Sequence, residues 1–126
     1  MNYRIKNEYA ELWIENDILF FIYKNGVVID QSVAMKVVED RLLLQQGKAF
    51  LIFCDMTGVK SIDKAARNYL AKEGSVLINA VALLVNDPLT IVLSGFYIKT
   101  SKPPIMTQVF TEEEAALAFL NTYNST

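Results

Sequence analysis

The sequence has no histidine and a single cysteine, Cys54, among its 126 residues. The absence of histidine excludes His-based catalytic triads and His-ligated metal ions, and one cysteine forms neither an internal disulfide nor a Cys-rich zinc site. Basic charge is also scarce, since 12 Lys and Arg stand against 14 Asp and Glu for a net charge of −2. Nucleic-acid binding requires a basic field that offsets phosphate repulsion. We therefore expect no metal, no cofactor and no nucleic-acid partner.

Hydrophobic residues are plentiful, at 52% of the chain against 21% charged residues. This composition excludes a disordered chain, and the length fits one domain over residues 1–126. The most apolar window, residues 76–98, is long enough to span a bilayer, but Asp87 and Pro88 stand near its centre. An ionised Asp at that depth costs about 2.5–3.5 kcal/mol, and proline breaks the helix. We expect no membrane span.

The N-terminal residues carry charge, but no apolar segment follows them, so we expect no signal peptide. The expected compartment is therefore the cytoplasm, where Cys54 would stay reduced.

Five segments have strand patterns. Residues 8–15 alternate between apolar and polar positions, and the turn residues Asn16 and Asp17 lead into residues 18–23, which are apolar on both faces. This pattern predicts a β-hairpin whose second strand lies deeper in the sheet. The remaining predicted strands are residues 49–54, 80–85 and 105–110.

Helices are predicted between and after the later strands. Asp30 is a suitable N-cap for a helix over residues 31–46, and a second helix begins after Ser61 or Asp63 and ends near Gly74. A third runs from Pro88 to about residue 100, and a fourth follows the acidic residues 112–114. The fourth is predicted to bury Ala115, Ala118, Phe119 and Tyr123. The order ββαβαβαβα predicts an α/β fold with a mostly parallel five-stranded sheet and an antiparallel N-terminal hairpin strand.

One charged residue, Arg41, falls inside the apolar stripe of the first helix. It could present its charge to a partner or pair with a carboxylate. We expect instead that its stem lies along apolar surface while its head reaches water near the negative end of the helix.

Polar side chains gather in residues 55–63, directly after the buried third strand, where α/β sheets usually bind ligands. The pair Asp55 and Asp63 could in principle act in acid–base chemistry or bind Mg²⁺. The alternative is structural: Asp55 holds loop amides and Asp63 caps the next helix. We favour the structural interpretation, because no nucleophile and no glycine-rich phosphate loop accompanies the pair.

This loop resembles the motif of STAS domains, the family of anti-sigma factor antagonists and of the cytoplasmic tails of sulphate transporters. The matching residues are Asp55, Thr57, Gly58, Val59, Ile62 and Asp63. In phosphorylatable members two small hydroxyl residues follow the second Asp, and a partner kinase that is also an anti-sigma factor phosphorylates the second of them. Here Lys64 and Ala65 occupy those positions, so the family's phospho-switch is excluded. Thr57 and Ser61 remain as hydroxyl residues that do not align with it.

The resemblance implies a non-enzymatic domain that binds a protein through this loop and the helix after it. The residues expected to contact the partner are Asp55, Thr57, Gly58, Lys60, Ser61, Asp63, Lys64 and Ala65. The C-terminal strand and acidic helix start resemble the SpoIIAA-like bacterial subgroup, which is often grouped with CRAL-TRIO-like domains that hold apolar ligands.

The third predicted helix is apolar on more than one side, as in helices that are deeply buried or that cover something. A homodimer partner, an apolar ligand and internal packing all remain open as explanations. The residues assigned to this dimer-forming or ligand-covering role are Ile91, Leu93, Phe96 and Ile98. Three functions follow in order of preference: a regulatory protein-interaction domain, forming a homodimer; a binding domain for a small apolar or lipid-like molecule; and an enzyme built on Asp55 and Asp63.

Overall fold

A computed structural model describes residues 4–124. Its strands are β1 (Arg4–Lys6), β2 (Ala10–Glu15), β3 (Ile18–Tyr23), β4 (Val27–Ile29), β5 (Phe50–Asp55), β6 (Val59–Ile62), β7 (Ile78–Leu84) and β8 (Met106–Phe110). Its helices are α1 (Gln31–Gln45), α2 (Lys64–Lys72), α3 (Pro88–Phe96) and α4 (Glu113–Asn124). A 3₁₀ turn, Glu73–Ser75, follows α2, and a π-helical turn, Tyr97–Ser101, continues α3. Parts of the predicted single domain, residues 1–3 and 125–126, lie outside the described residues.

The main sheet has the strand order β1-β2-β3-β5-β7-β8. The first three strands pair antiparallel, and β3, β5, β7 and β8 pair parallel. The predicted α/β fold with its antiparallel N-terminal hairpin is confirmed. The sheet has six strands rather than five, because the three residues of β1 add to the edge of β2. A segment so short carries too little alternation to be recognised as a strand.

A second, two-stranded sheet pairs β4 with β6 in parallel. The prediction that residues 56–62 form only a loop is therefore wrong. In β6, Val59 and Ile62 are buried, whereas Lys60 and Ser61 are exposed. This four-residue pattern lacks the period-two signal of a strand, and the pairing depends on a partner some thirty residues earlier in the chain.

Apolar side chains form a separate core on each face of the main sheet. One core joins the sheet to α1 and α2 and includes Phe21, Val37 and Ile52, while the smaller one packs Phe53 against α4. On α4 the buried residues are Ala116 and Leu120. Of the residues predicted to be buried, Phe119 is partly buried and packs on the smaller core, whereas Ala115, Ala118 and Tyr123 are exposed. Within residues 4–124 no helix has the length and apolarity needed to cross a bilayer.

Three helices begin at an aspartate that accepts a hydrogen bond from a backbone amide. Asp30 accepts from Val33 at 2.9 Å, and Asp63 accepts from Ala66 at 2.8 Å. Asp87 caps α3 in the same way. Such caps satisfy amides that have no partner inside the helix. They place the start of α2 directly after β6 and the start of α3 directly after the end of β7.

Candidate functional site

The residues of the STAS-like motif hold the turn between β5 and β6. Asp55 accepts a hydrogen bond from the Thr57 amide at 2.8 Å, and the Met56 amide donates to the Leu84 carbonyl at 2.9 Å. Asp63 is occupied by its capping bond at the start of α2. Both carboxylates thus bind backbone amides, as the structural interpretation predicts. This arrangement provides no support for acid–base chemistry by the pair.

Gly58 lies against the turn that follows β3. Its carbonyl accepts a hydrogen bond from the Gly26 amide at 2.7 Å. A Cβ atom at this position would lie 2.6 Å from the Lys24 carbonyl oxygen and 2.9 Å from the Asn25 Cα. Atoms at such separations overlap strongly, since favourable contacts between carbon atoms begin near 3.5 Å. Gly58 therefore permits the close approach of two backbone segments.

The later residues of the predicted partner-binding set form an exposed surface. Lys60, Ser61, Asp63, Lys64 and Ala65 are all exposed, at the end of β6 and the start of α2. The earlier members of the set, Asp55, Thr57 and Gly58, are partly buried. The structure therefore divides the predicted set into an inner group that shapes the turn and an outer group that faces solvent.

The start of α2 and the end of α3 together form a shallow groove. The guanidinium of Arg67 lies 4.6 Å from the centre of the Phe96 ring, and it donates to the Ile62 carbonyl at 2.8 Å. The lining residues are Lys64, Arg67, Asn68, Phe96, Thr100 and Ser101. The groove connects the motif segment to α3.

The structure separates the four residues assigned to the third helix. Leu93 and Ile98 are partly buried and pack on the main core, whereas Ile91 and Phe96 are exposed. The fully buried residues of α3 are Thr90 and Ser94. We call the exposed apolar face the α3 patch and define it as Leu89, Ile91, Val92 and Phe96.

A partly open cavity of about 100 Å³ extends into the main core, between the sheet, α1, α2 and the π-helical turn. Apolar side chains such as Ile52, Leu83 and Ile105 form most of its wall. Polar groups at the wall come from Tyr23, Arg41, Cys54, Ser75, Tyr97 and Thr107. No sequence pattern indicates this space directly, although an apolar ligand under the third helix is among the explanations that the sequence leaves open.

Arg41 is only 3% exposed, so the expectation that its head reaches water is wrong. Its guanidinium donates to the carbonyls of Val76 at 3.0 Å and Gly74 at 3.1 Å, and to the side chain of Gln45. Burial lowers the pKa of Arg41 to about 10. It therefore remains a buried cation, held by neutral oxygens of the segment that follows α2.

Two tyrosines and the cysteine lie beside this cation. Burial raises the pKa of the Tyr23 hydroxyl well above its usual value, and Cys54, Tyr97 and Arg41 lie near enough to influence it. Burial likewise raises the pKa values of Tyr97 and of the Cys54 thiol. At neutral pH all three groups are therefore protonated. Sequence reasoning missed Tyr23 and Tyr97, because each lies in an apolar segment where an aromatic residue indicates only core packing.

The comparisons with known proteins support the fold. A comparison with curated proteins finds no match. Among solved structures, the chain is similar to an uncharacterised protein of the DUF3478 family from Shewanella loihica PV-4, described as having a SpoIIAA-like fold. The similarity has a TM-score of 0.64 at 12% sequence identity and covers 92% of this chain and 98% of the other. The predicted SpoIIAA-like fold is thus confirmed. A family model described as a domain of unknown function, DUF7793, matches residues 12–124, and the chain belongs to that family.

Proposed function

We propose that the chain is a non-enzymatic regulatory domain of STAS type that acts in the cytoplasm by binding protein, with a second copy of itself as partner. The observation that carries this proposal is the α3 patch. Val92 is 65% exposed there, and Leu89, Ile91 and Phe96 are each close to half exposed. Several exposed apolar side chains on one helix favour association, because association removes their surface from water.

The charges at the two ends of α3 favour an antiparallel pair of α3 helices around a two-fold axis. Asp87 lies at the start of α3, and Arg67 lies over Phe96 at its end. In an antiparallel pair the acidic end of one helix faces the basic end of the other, so the rim charges attract while the apolar centres meet. The exposed residues of this segment lie beside the interface and are available to a further protein; they are Lys60, Ser61, Asp63, Lys64 and Ala65.

The test is the mass of the protein in solution. Light scattering coupled to size-exclusion chromatography is expected to give twice the chain mass for the wild type and the monomer mass for Val92→Glu. Leu43→Glu on α1 is the matched control, because Leu43 is 64% exposed and lies outside the patch. The control is expected to stay dimeric. A monomeric wild type, or equal loss of the dimer in both variants, would overturn the proposed self-association.

A second function, binding of a small apolar ligand, is favoured by the cavity. Apolar cavities of this order of size stay dry and accept small apolar molecules; an engineered cavity of about 150 Å³ binds benzene. Native mass spectrometry of the purified protein is expected to show an added ligand mass, or to show one after incubation with benzene-sized probes. Protein that takes up no such probe would contradict this second function. The result is independent of the dimer test, because the cavity extends into the core and the patch lies outside it.

A further inference from the structure

The cavity wall is almost entirely apolar, and we call the part of it near Tyr23 the polar end, because Arg41 and Tyr97 lie near enough to Tyr23 to influence its pKa. Tyr23 on β3, Arg41 on α1 and Tyr97 on the π-helical turn all line the cavity, and the pKa of Tyr23 responds to the other two. The remaining wall is largely aliphatic. The geometry therefore suits a molecule with an apolar body and one polar head, rather than a wholly apolar one.

Tyr23 provides a buried donor at this polar end. The residue is only 7% exposed, and its hydroxyl makes no hydrogen bond to any residue between 4 and 124. The hydroxyl oxygen is not among the fully buried atoms without a partner, and Tyr23 lines the cavity, so its O–H can donate to a molecule there. Tyr97, partly buried, also has no hydrogen bond within the described residues. Because both hydroxyls stay protonated at neutral pH, both can donate to an acceptor in the cavity.

Arg41 adds a positive charge to this part of the cavity wall. Its three acceptors are an amide oxygen of Gln45 and two carbonyls, and no carboxylate of the described chain forms an ion pair with it. A guanidinium has five N–H donors, so these bonds leave two of them. A buried cation surrounded only by neutral dipoles favours an anion nearby, because the anion compensates for lost hydration.

From these three groups we infer that the cavity binds a small carboxylic acid with a short apolar body, whose carboxylate accepts hydrogen bonds at the end formed by Tyr23, Tyr97 and Arg41. This inference rests on the second proposed function and specifies its ligand class. The cavity volume limits the enclosed body to about the size of a benzene ring. Benzoate is therefore a suitable probe, and benzyl alcohol is its neutral counterpart of similar shape.

The experiment titrates each probe into the full chain at neutral pH and detects binding by NMR. Benzoate is expected to bind about tenfold more tightly than benzyl alcohol, the difference expected when a hydrogen bond has a charged partner. Tyr23→Phe removes one hydroxyl and keeps the ring, so it is expected to weaken benzoate several-fold and leave benzyl alcohol unchanged. Tyr69→Phe on α2, outside the cavity wall, is the matched control and is expected to bind both probes like the wild type.

The outcomes separate this inference from the function on which it rests. Equal binding of the two probes, or benzoate binding unaffected by Tyr23→Phe, would overturn the carboxylate assignment and leave the apolar-ligand function standing. If neither probe binds to folded protein, both fail, and Arg41 has only the structural role of holding the segment after α2. Folding of each variant is verified by the dispersion of its amide NMR spectrum.

Discussion

Replacing Gly58 by alanine tests whether the motif glycine is a packing requirement. The added Cβ would meet the Lys24 carbonyl oxygen at 2.6 Å and its carbonyl carbon at 2.8 Å. These are backbone atoms, so no side-chain rotation relieves the overlap. The Lys24 carbonyl also accepts a hydrogen bond from Val27 at 3.3 Å, which restrains the turn. The turn after β3 and the segment before β6 must therefore move apart.

The expected cost follows from two opposing terms. Overpacking of a filled site typically costs about 1–3 kcal/mol. Alanine restricts the unfolded chain more than glycine does, and this stabilises the protein by about 0.4–1 kcal/mol where the native conformation tolerates it. The steric term is the larger, and separating the segments also weakens the hydrogen bond from Gly26 to Gly58. We expect Gly58→Ala to lower the free energy of unfolding by about 1–3 kcal/mol.

Gly95→Ala is the control, and its expected effect on the free energy of unfolding has the opposite sign. Gly95 lies in α3, and a Cβ there would meet no atom within 4 Å. Because glycine is about 0.8–1.0 kcal/mol less favourable than alanine inside a helix, Gly95→Ala is expected to stabilise the protein. The free energy of unfolding of both variants is measured by urea denaturation, with circular dichroism as the signal. The dependence of this free energy on urea concentration should match that of the wild type, which shows that the same unfolding transition is compared. A Gly58→Ala protein as stable as the wild type would refute the close-approach argument.

Three further predictions concern single polar groups. Asp63→Ala removes the hydrogen bond to the Ala66 amide and is expected to lower the free energy of unfolding, measured by urea denaturation, by about 0.5–2 kcal/mol. Asp63→Asn is expected to lower it less, and equal losses in the two variants would contradict the capping role. Cys54 is expected to react slowly with iodoacetamide in the folded protein at neutral pH and rapidly after denaturation, because burial raises the pKa of its thiol; fast labelling of native protein would contradict this. Hydrogen bonds from Thr90 lower the pKa of Asp87. The ionised carboxylate therefore stabilises the folded protein above the ordinary Asp pKa, and this stabilisation is lost as the pH falls through the lowered pKa. When the free energy of unfolding is measured against pH, the decrease at acid pH is expected to be smaller in Asp87→Asn than in the wild type.

Local patterns predicted the elements that depend on neighbouring residues. Asp30 and Asp63 cap helices because each capping bond spans only three residues of sequence. The buried strands β3 and β5 were recognisable because helices cover both faces of the sheet, which makes every position apolar. These signals lie within a few residues of the element they define, so one sequence suffices to detect them.

Features that depend on distant partners could not be predicted in this way. Arg41 is buried because its acceptors, the Gly74 and Val76 carbonyls, come from segments 33 and 35 residues away. A helical pattern does not reveal carbonyls supplied by another part of the chain. The same holds for Tyr23, whose unpartnered hydroxyl follows from the space left by α1 and the π-helical turn.

The motif residues that hold the turn do not depend on the family's phosphorylation site, and this explains how the chain keeps the fold without the phospho-switch. Asp55 holds a loop amide, Gly58 permits two backbones to approach, and Asp63 begins α2. None of these tasks needs a hydroxyl at position 65, since Ala65 is exposed at the start of α2 and lies outside both cores. A match to the motif therefore indicates the architecture alone. The groups that distinguish this protein chemically are the α3 patch on its surface and the polar end of its cavity.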